Sequence, residues 1–428
     1  MVAFEALAVA TILPATERDL GGLRLYGWTF SGFLLASLVG IVWAGEQCDR
    51  VGPSRPLLSG LVLFGIGLCV AGLAPAMWVL VAGRVVQGLG AGAVPAVAYV
   101  CISRGYSEAQ RPRMFALMST AWVVPGLAGP GIAGVIAETT SWRLVFLGLV
   151  PLLAIAIWIT IPAVRSLAAP ESPAERMPTR IRTALALTGG ASLVLAGVTS
   201  PTLVVGAPLV VAGLAIAVPA LRALLPAGAL RLRSGLPAAV VGMGLLNLAF
   251  FGADAYIPYS LTTLRGHPTY VAGIVLTLTT IAWTSGSWMV DRLSKRLDRR
   301  VTMCGGLLLI AAGSGGVALS LLPAAPIIPI IVIAWSAAAF GIGMAYPSFS
   351  LATLAQAPAG EEGLTSSSLK LCESLGAAIG TGAGGALIAA GESAGHPAAG
   401  PAGTFVLMAA VAALATLVAL RTGSAGRE

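Results

Sequence analysis

Charge is what this sequence has least of. Only 10% of its 428 residues are Asp, Glu, Lys or Arg, against roughly 25% in a soluble domain. A water-soluble fold could not cover its surface with so few, which sets aside soluble enzymes, nucleic-acid binders and disordered chains. Lysine occurs twice (Lys295, Lys370) and histidine twice (His267, His396). The five cysteines, Cys48, Cys69, Cys101, Cys304 and Cys372, show neither metal-ligand nor disulfide spacing and read as small packing residues. No His cluster, Ser-His-Asp set, metal spacing or nucleotide loop supports an enzyme, and no cofactor is expected. No separate signal peptide is expected either.

Apolar residues are abundant, at 57% of the chain with a mean hydropathy of +0.91. This composition implies an all-α polytopic membrane protein. A helical span needs about 20 mostly apolar residues. Such runs lie at about 1–15, 26–44, 56–76, 78–101, 113–137, 143–162, 183–199, 202–224, 236–258, 268–290, 301–323, 326–348, 366–391 and 402–421. The expectation is fourteen spans, with the seventh weakest because it is short and holds Gly189-Gly190. A polar linker runs from Arg165 to Arg182. Counting back about 20 residues from the polar stretch Thr16-Glu17-Arg18-Asp19 passes Met1. A start upstream of Met1 is therefore expected, with a short first helix as the alternative.

The net charge of +8 is read as membrane orientation instead of nucleic-acid affinity. With the N-terminus cytoplasmic, 19 of the 25 basic residues fall in inside loops. Four (Arg18, Arg24, Arg143, Arg265) fall outside, and Arg84 and Lys370 fall within spans. Both termini are thus expected in the cytoplasm. Parity does not separate twelve spans from fourteen.

The chain also contains an internal repeat. Gly129-Pro130-Gly131-Ile132-Ala133-Gly134 in the fifth span superposes on Gly380 to Gly385 in the thirteenth. Gly88, Gly90 and Gly92 before Pro95 match Gly341 and Gly343 before Pro347 more loosely. Chance resemblance of glycine-rich helices is the alternative, since small residues let membrane helices pack closely. The order of the matches favours a repeat of spans 1–6 in spans 9–14. The organisation expected is a six-helix bundle at 1–164, a linker with two inserted helices at 165–235, and a second six-helix bundle at 236–428. Parallel halves around a midplane site are a transporter arrangement.

Two segments carry charge where it needs explaining. The loop after the second span reads Gly45-Glu46-Gln47-Cys48-Asp49-Arg50-Val51-Gly52-Pro53-Ser54-Arg55. A positive-inside loop accounts for Arg50 and Arg55 but not for Asp49 or the glycines. In the fourth span, Arg84-Val85-Val86-Gln87-Gly88-Leu89-Gly90 places an arginine inside hydrocarbon, at a cost of about 2.5–3.5 kcal/mol.

These signatures resemble the Major Facilitator Superfamily over essentially the whole chain. Gly45, Asp49, Arg50, Gly52 and Arg55 fit its loop signature, with Pro53 where a base is usual. Arg84, Gln87, Gly88 and Gly90 fit its fourth-span motif. Gly129, Pro130 and Gly134 fit its antiporter motif, with Pro125 and Ala133 at two of its glycine positions. The span count and the antiporter motif resemble the drug:proton antiporter branch. The resemblance implies proton-coupled export of lipophilic or cationic small molecules by alternating access, from a multi-pass protein of the plasma membrane. The expected partners are a small-molecule substrate, protons and the lipid bilayer, with no nucleic acid, and the chain is expected to be a monomer. A solute importer or facilitator of the same fold, or a non-transporting membrane receptor, is the alternative.

Coupling needs a membrane carboxylate that can carry a proton, and ionised carboxylates are costly in hydrocarbon. Glu5 and Asp254 lie on the leading helices of the two halves and are the candidates, with Arg84 as the expected partner of Glu5. A structural hydrogen-bonding role is the alternative for each. Lys370 and Glu373, three apart on one helix face, are expected to form an ion pair. Phe4, Phe250, Phe251, Tyr256 and Trp283 are the aromatic candidates for an apolar substrate cavity.

Overall fold

The computed structural model describes residues 2–105, 107, 110–165, 178–200, 202–293, 298–322, 326–358 and 362–422. Most of the expected linker, with Arg176, lies outside the described residues, as do Lys295, Arg296 and Arg427. So does the side chain of Asp49.

Long helices account for nearly all of the described residues. In chain order they are α1 (Val2–Leu20), α2 (Tyr26–Val51), α3 (Ser54–Gly72), α4 (Met77–Gly105), α5 (Arg111–Thr139), α6 (Arg143–Arg165), α7 (Pro178–Val198) and α8 (Leu203–Leu224). The series continues with α9 (Leu236–Leu264), α10 (Thr269–Leu293), α11 (Arg299–Ser320), α12 (Ile327–Ala355), α13 (Glu362–Ser393) and α14 (Ala399–Ala419). Among the described residues, 12 helices are long and apolar enough to cross a membrane.

The two outside that set are α1 and α5, not the pair expected to be doubtful. The α1 helix has 19 residues and carries Glu5, Glu17, Arg18 and Asp19. The α5 helix falls outside it because the side chains of residues 111–113 and 115–123 lie outside the described residues. The α7 helix has 21 residues and is among the twelve. Gly190 explains how a weak hydropathy run still packs: a Cβ there would sit 2.6 Å from the Ala217 backbone nitrogen of α8, so the two helices meet backbone to backbone.

Helix α9 is broken after Asp254 and resumes at Ile257. Pro258 supplies the cause. Proline offers no backbone N–H, and its ring clashes with the carbonyl four residues back, which is that of Asp254. The same spacing, Pro151 against Leu147, interrupts α6 at Gly148.

Packing is tight between α2 and α4, α3 and α4, α9 and α13, and α11 and α12. The pairs α5–α10 and α2–α13 join the first part of the chain to the last. The α7–α8 pair lies along α2 and α13. Leu187, Ala191 and Leu195 of α7 share a cluster with Leu35 and Leu38 of α2 and Leu371, Leu375 and Ala378 of α13. Thr188 Oγ1 donates to the Leu35 carbonyl at 3.2 Å.

Candidate functional site: a buried charge cluster between α1 and α4

Arg84 on α4 is 2% exposed, and Glu5 on α1 is 1% exposed. A buried guanidinium needs a counter-charge and acceptors for its N–H groups. The fold supplies both. Nη1 donates to Glu5 Oε1 and to Gln87 Oε1 at 2.8 Å. Nε donates to the Thr29 carbonyl of α2 at 3.0 Å, and the guanidinium carbon lies 4.2 Å from the centroid of the Phe33 ring. Gln87 reaches Arg84 because residues three apart share a helix face. Glu5 Oε2 and Gln87 Nε2 are buried with no hydrogen-bond partner.

The close approach of α4 to α2 and α3 holds this cluster in place. A Cβ on Gly88 would run into the Phe33 carbonyl, and one on Gly90 into the Gly60 carbonyl. Gly129 of α5 faces the Phe4 ring, at 3.3 Å from a would-be Cβ. Phe4 therefore packs on the antiporter-type segment, directly beside Glu5 in sequence.

Asp254 lies elsewhere, buried at the break in α9. Its Oδ1 accepts from the indole N–H of Trp335 on α12 at 2.8 Å. Trp335 stacks on Phe250, with centroids 5.0 Å apart and planes at 15°. Phe250 meets Trp283 of α10 edge-on at 5.4 Å, and Phe251 lies 6.0 Å from Trp283. Phe250, Phe251 and Trp283 thus form one aromatic group. Tyr256 does not join it. That residue is fully buried, packs on Tyr26 at 5.6 Å, and donates its hydroxyl to the Thr381 carbonyl of α13.

The antiporter-type segment lies at the α5–α10 crossing. A Cβ on Gly134 would sit 2.9 Å from the Tyr270 Cα, and the Pro130 carbonyl abuts Gly273. At the α2–α13 crossing, a Cβ on Gly385 would sit 2.8 Å from the Gly27 Cα. Ser31 Oγ donates to the Ala378 carbonyl at 2.8 Å. The expected loop is mostly helix: Gly45 to Val51 close α2 and Arg55 belongs to α3, which leaves Gly52-Pro53 as the turn, where Gly52 has φ of +81°, which an L side chain rarely adopts. Gly45 has open space around it, Arg50 is half-buried and Arg55 is exposed.

Sequence reasoning missed Trp335 and Thr29. A signal existed for Trp335, whose indole N–H requires an acceptor inside an apolar run. The Thr29 carbonyl left no trace in the sequence.

The sequence profile of the Major Facilitator Superfamily matches residues 1–381. The chain belongs to that superfamily. Among curated relatives, a probable multidrug-efflux transporter of Mycobacterium tuberculosis is 28% identical over 403 residues, covering 88% of this chain and 83% of that protein. Multidrug resistance protein 3 of Bacillus subtilis is 29% identical over 161 residues, which is 38% of this chain and 31% of that protein. Solved structures share the fold. A peptide transporter of the POT family in complex with sulfate aligns with a TM-score of 0.71 at 18% identity, covering 98% of this chain and 91% of that one. As a member of the superfamily, this chain is a multi-pass membrane protein that transports small molecules and is not an enzyme.

Proposed function

We propose that this protein exports lipophilic or cationic small molecules in exchange for protons, by alternating access. The carrying observation is the buried Glu5–Arg84 pair, in which one carboxylate oxygen is held by the guanidinium and the other is left without a partner. A pair of this kind is a switch. With the guanidinium in place the carboxylate is favoured as an anion; helix movement that parts them favours the protonated acid. Substrate and proton then occupy the protein in turn, which is linkage between two ligands. Asp254, without a cation among its hydrogen-bond partners, is the second candidate carrier.

The packing supports two related halves, residues 1–164 and 236–428, with 165–235 inserted and fourteen spans in all. Gly129 meets α1 while its repeat mate Gly380 meets α9; Gly134 meets α10 while Gly385 meets α2. Each contact is the repeat image of the other. In this reading the α5–α10 and α2–α13 crossings close the outer side of a plasma-membrane protein whose termini are cytoplasmic. The segment containing Asp49, at the end of α2, biases the conformations, and the protein acts as a monomer. The names of the mycobacterial and Bacillus relatives support a drug-type substrate.

The test is flux in proteoliposomes with an imposed pH gradient, across a panel of lipophilic cations and neutral compounds. Export that needs the gradient and collapses with a protonophore is the expected result. Flux of a solute down its own gradient, indifferent to pH, would instead favour a facilitator.

A further inference from the structure

Lys370 is one of two lysines in the chain and stands within α13. Its ammonium meets Glu373 Oε1 at 2.6 Å. The other oxygen of that carboxylate, Oε2, accepts the hydroxyl of Tyr346, which comes from α12, at 2.8 Å. The Tyr346 ring lies 6.3 Å from Trp283 of α10, and Trp283 continues into Phe250 and Phe251. Two consecutive helices, α12 and α13, therefore meet at one carboxylate, and Tyr346 links it to the aromatic group that includes Trp283 of α10. Glu373 is 17% exposed and Lys370 47%. The acid is sheltered, and the ammonium that neutralises it reaches out to open space.

A pair three residues apart on one helix is weak and easily exchanged. The carboxylate needs a cation, yet nothing in its surroundings requires that cation to be the lysine. Aromatic faces attract organic cations, more strongly as water is removed. Tyr346, bonded to Glu373 through its hydroxyl, is the near end of a run of rings that continues through Trp283 to Phe250 and Phe251.

We infer that Glu373 is the anionic anchor for a lipophilic organic cation, and that Lys370 is an intramolecular stand-in which that cation displaces. The inference rests on the export reading for its substrate class, but not on proton coupling. It assigns the Lys370–Glu373 pair a role beyond helix stability. When substrate is absent, Lys370 keeps the sheltered acid neutralised. When the cation arrives, the ammonium swings out to solvent. A site occupied by its own lysine in about nine of ten molecules binds about tenfold more weakly than the vacated site.

The experiment is equilibrium binding of tetraphenylphosphonium to the purified full-length protein in detergent, with no pH gradient. Failure of proton coupling leaves this readout intact. Lys370→Met should bind about tenfold tighter than the unaltered protein, and Glu373→Gln at least tenfold more weakly. Neutral triphenylphosphine oxide should bind all three alike. A Lys370→Met variant that binds the cation no tighter, or a Glu373→Gln variant that binds it unchanged, would overturn the inference. A second measurement needs no variant: amidination of Lys370 by methyl acetimidate, followed by mass spectrometry. Saturating tetraphenylphosphonium should increase labelling at Lys370. Unchanged labelling under saturating cation would show that the ammonium is not displaced.

Discussion

Glu5 and Arg84 lend themselves to a double-mutant cycle, because each is almost fully buried and each is the other's counter-charge. Opposite unit charges about 4 Å apart attract by about 4 kcal/mol at an effective dielectric of 20. Removing one partner of a buried pair strands the other charge, at about 3–5 kcal/mol. Glu5→Gln keeps an amide oxygen for the guanidinium, and the Thr29 carbonyl and Gln87 remain as acceptors. Its cost should fall near the low end, about 3 kcal/mol, which is more than a hundredfold in the folding equilibrium. Arg84→Gln strands the carboxylate instead and also loses the face of Phe33. In the double variant neither charge remains, so the coupling energy should be about 2–3 kcal/mol in favour of the pair. Unfolding of the four proteins in mixed detergent and SDS gives the cycle. Additive costs would refute the pair as an energetic unit. Transport separates structure from mechanism: the double variant should recover stability but not gradient-driven export. A double variant that still exports with the gradient would refute Glu5 as the proton carrier, whatever its stability.

Three further outcomes follow from other parts of the fold. Trp335→Phe keeps the stack on Phe250 but leaves Asp254 Oδ1 without its donor, and should cost about 1–3 kcal/mol in the same unfolding assay; no loss would mean the indole bond contributes nothing. Gly385→Val pushes a side chain into Gly27 at the α2–α13 crossing, so cysteines placed near that crossing should gain reactivity toward a membrane-impermeant thiol reagent, and unchanged labelling would count against a closed crossing. Asp49→Asn should slow turnover with little change in substrate affinity, since Asp49 lies at the opposite end of α2 from Thr29, about 30 Å along the helix; a large loss of affinity at normal turnover would contradict that.

What could be read from the sequence was what hydrocarbon penalises. An arginine inside an apolar run must find an acid, and Glu5 was the carboxylate available among the first six runs, so the pair was legible before any coordinates. The apolar runs became helices for the same reason: a chain in lipid must satisfy its backbone internally. The Lys370–Glu373 contact followed from helical spacing alone. Helix rotation and neighbours were not legible. Nothing in the run around Tyr346 says that its hydroxyl meets Glu373, because which faces of the consecutive helices α12 and α13 meet is set by packing. Tyr256 was grouped with Phe250 by proximity in sequence, but the break that Pro258 imposes after Asp254 turns it toward Tyr26 and α13. The seventh run, expected to be the weakest, is long and apolar enough to cross a membrane, with Thr179–Val198 at a mean hydropathy of 1.5.

The most direct test of proton coupling at Glu5 is proton release on substrate binding, followed with a pH dye in weakly buffered detergent solution. If substrate and proton occupy the protein in turn, saturating the unaltered protein with tetraphenylphosphonium should release about one proton per cation bound. Glu5→Gln should bind the cation and release none. Binding without proton release in the unaltered protein, or undiminished release from Glu5→Gln, would contradict the account.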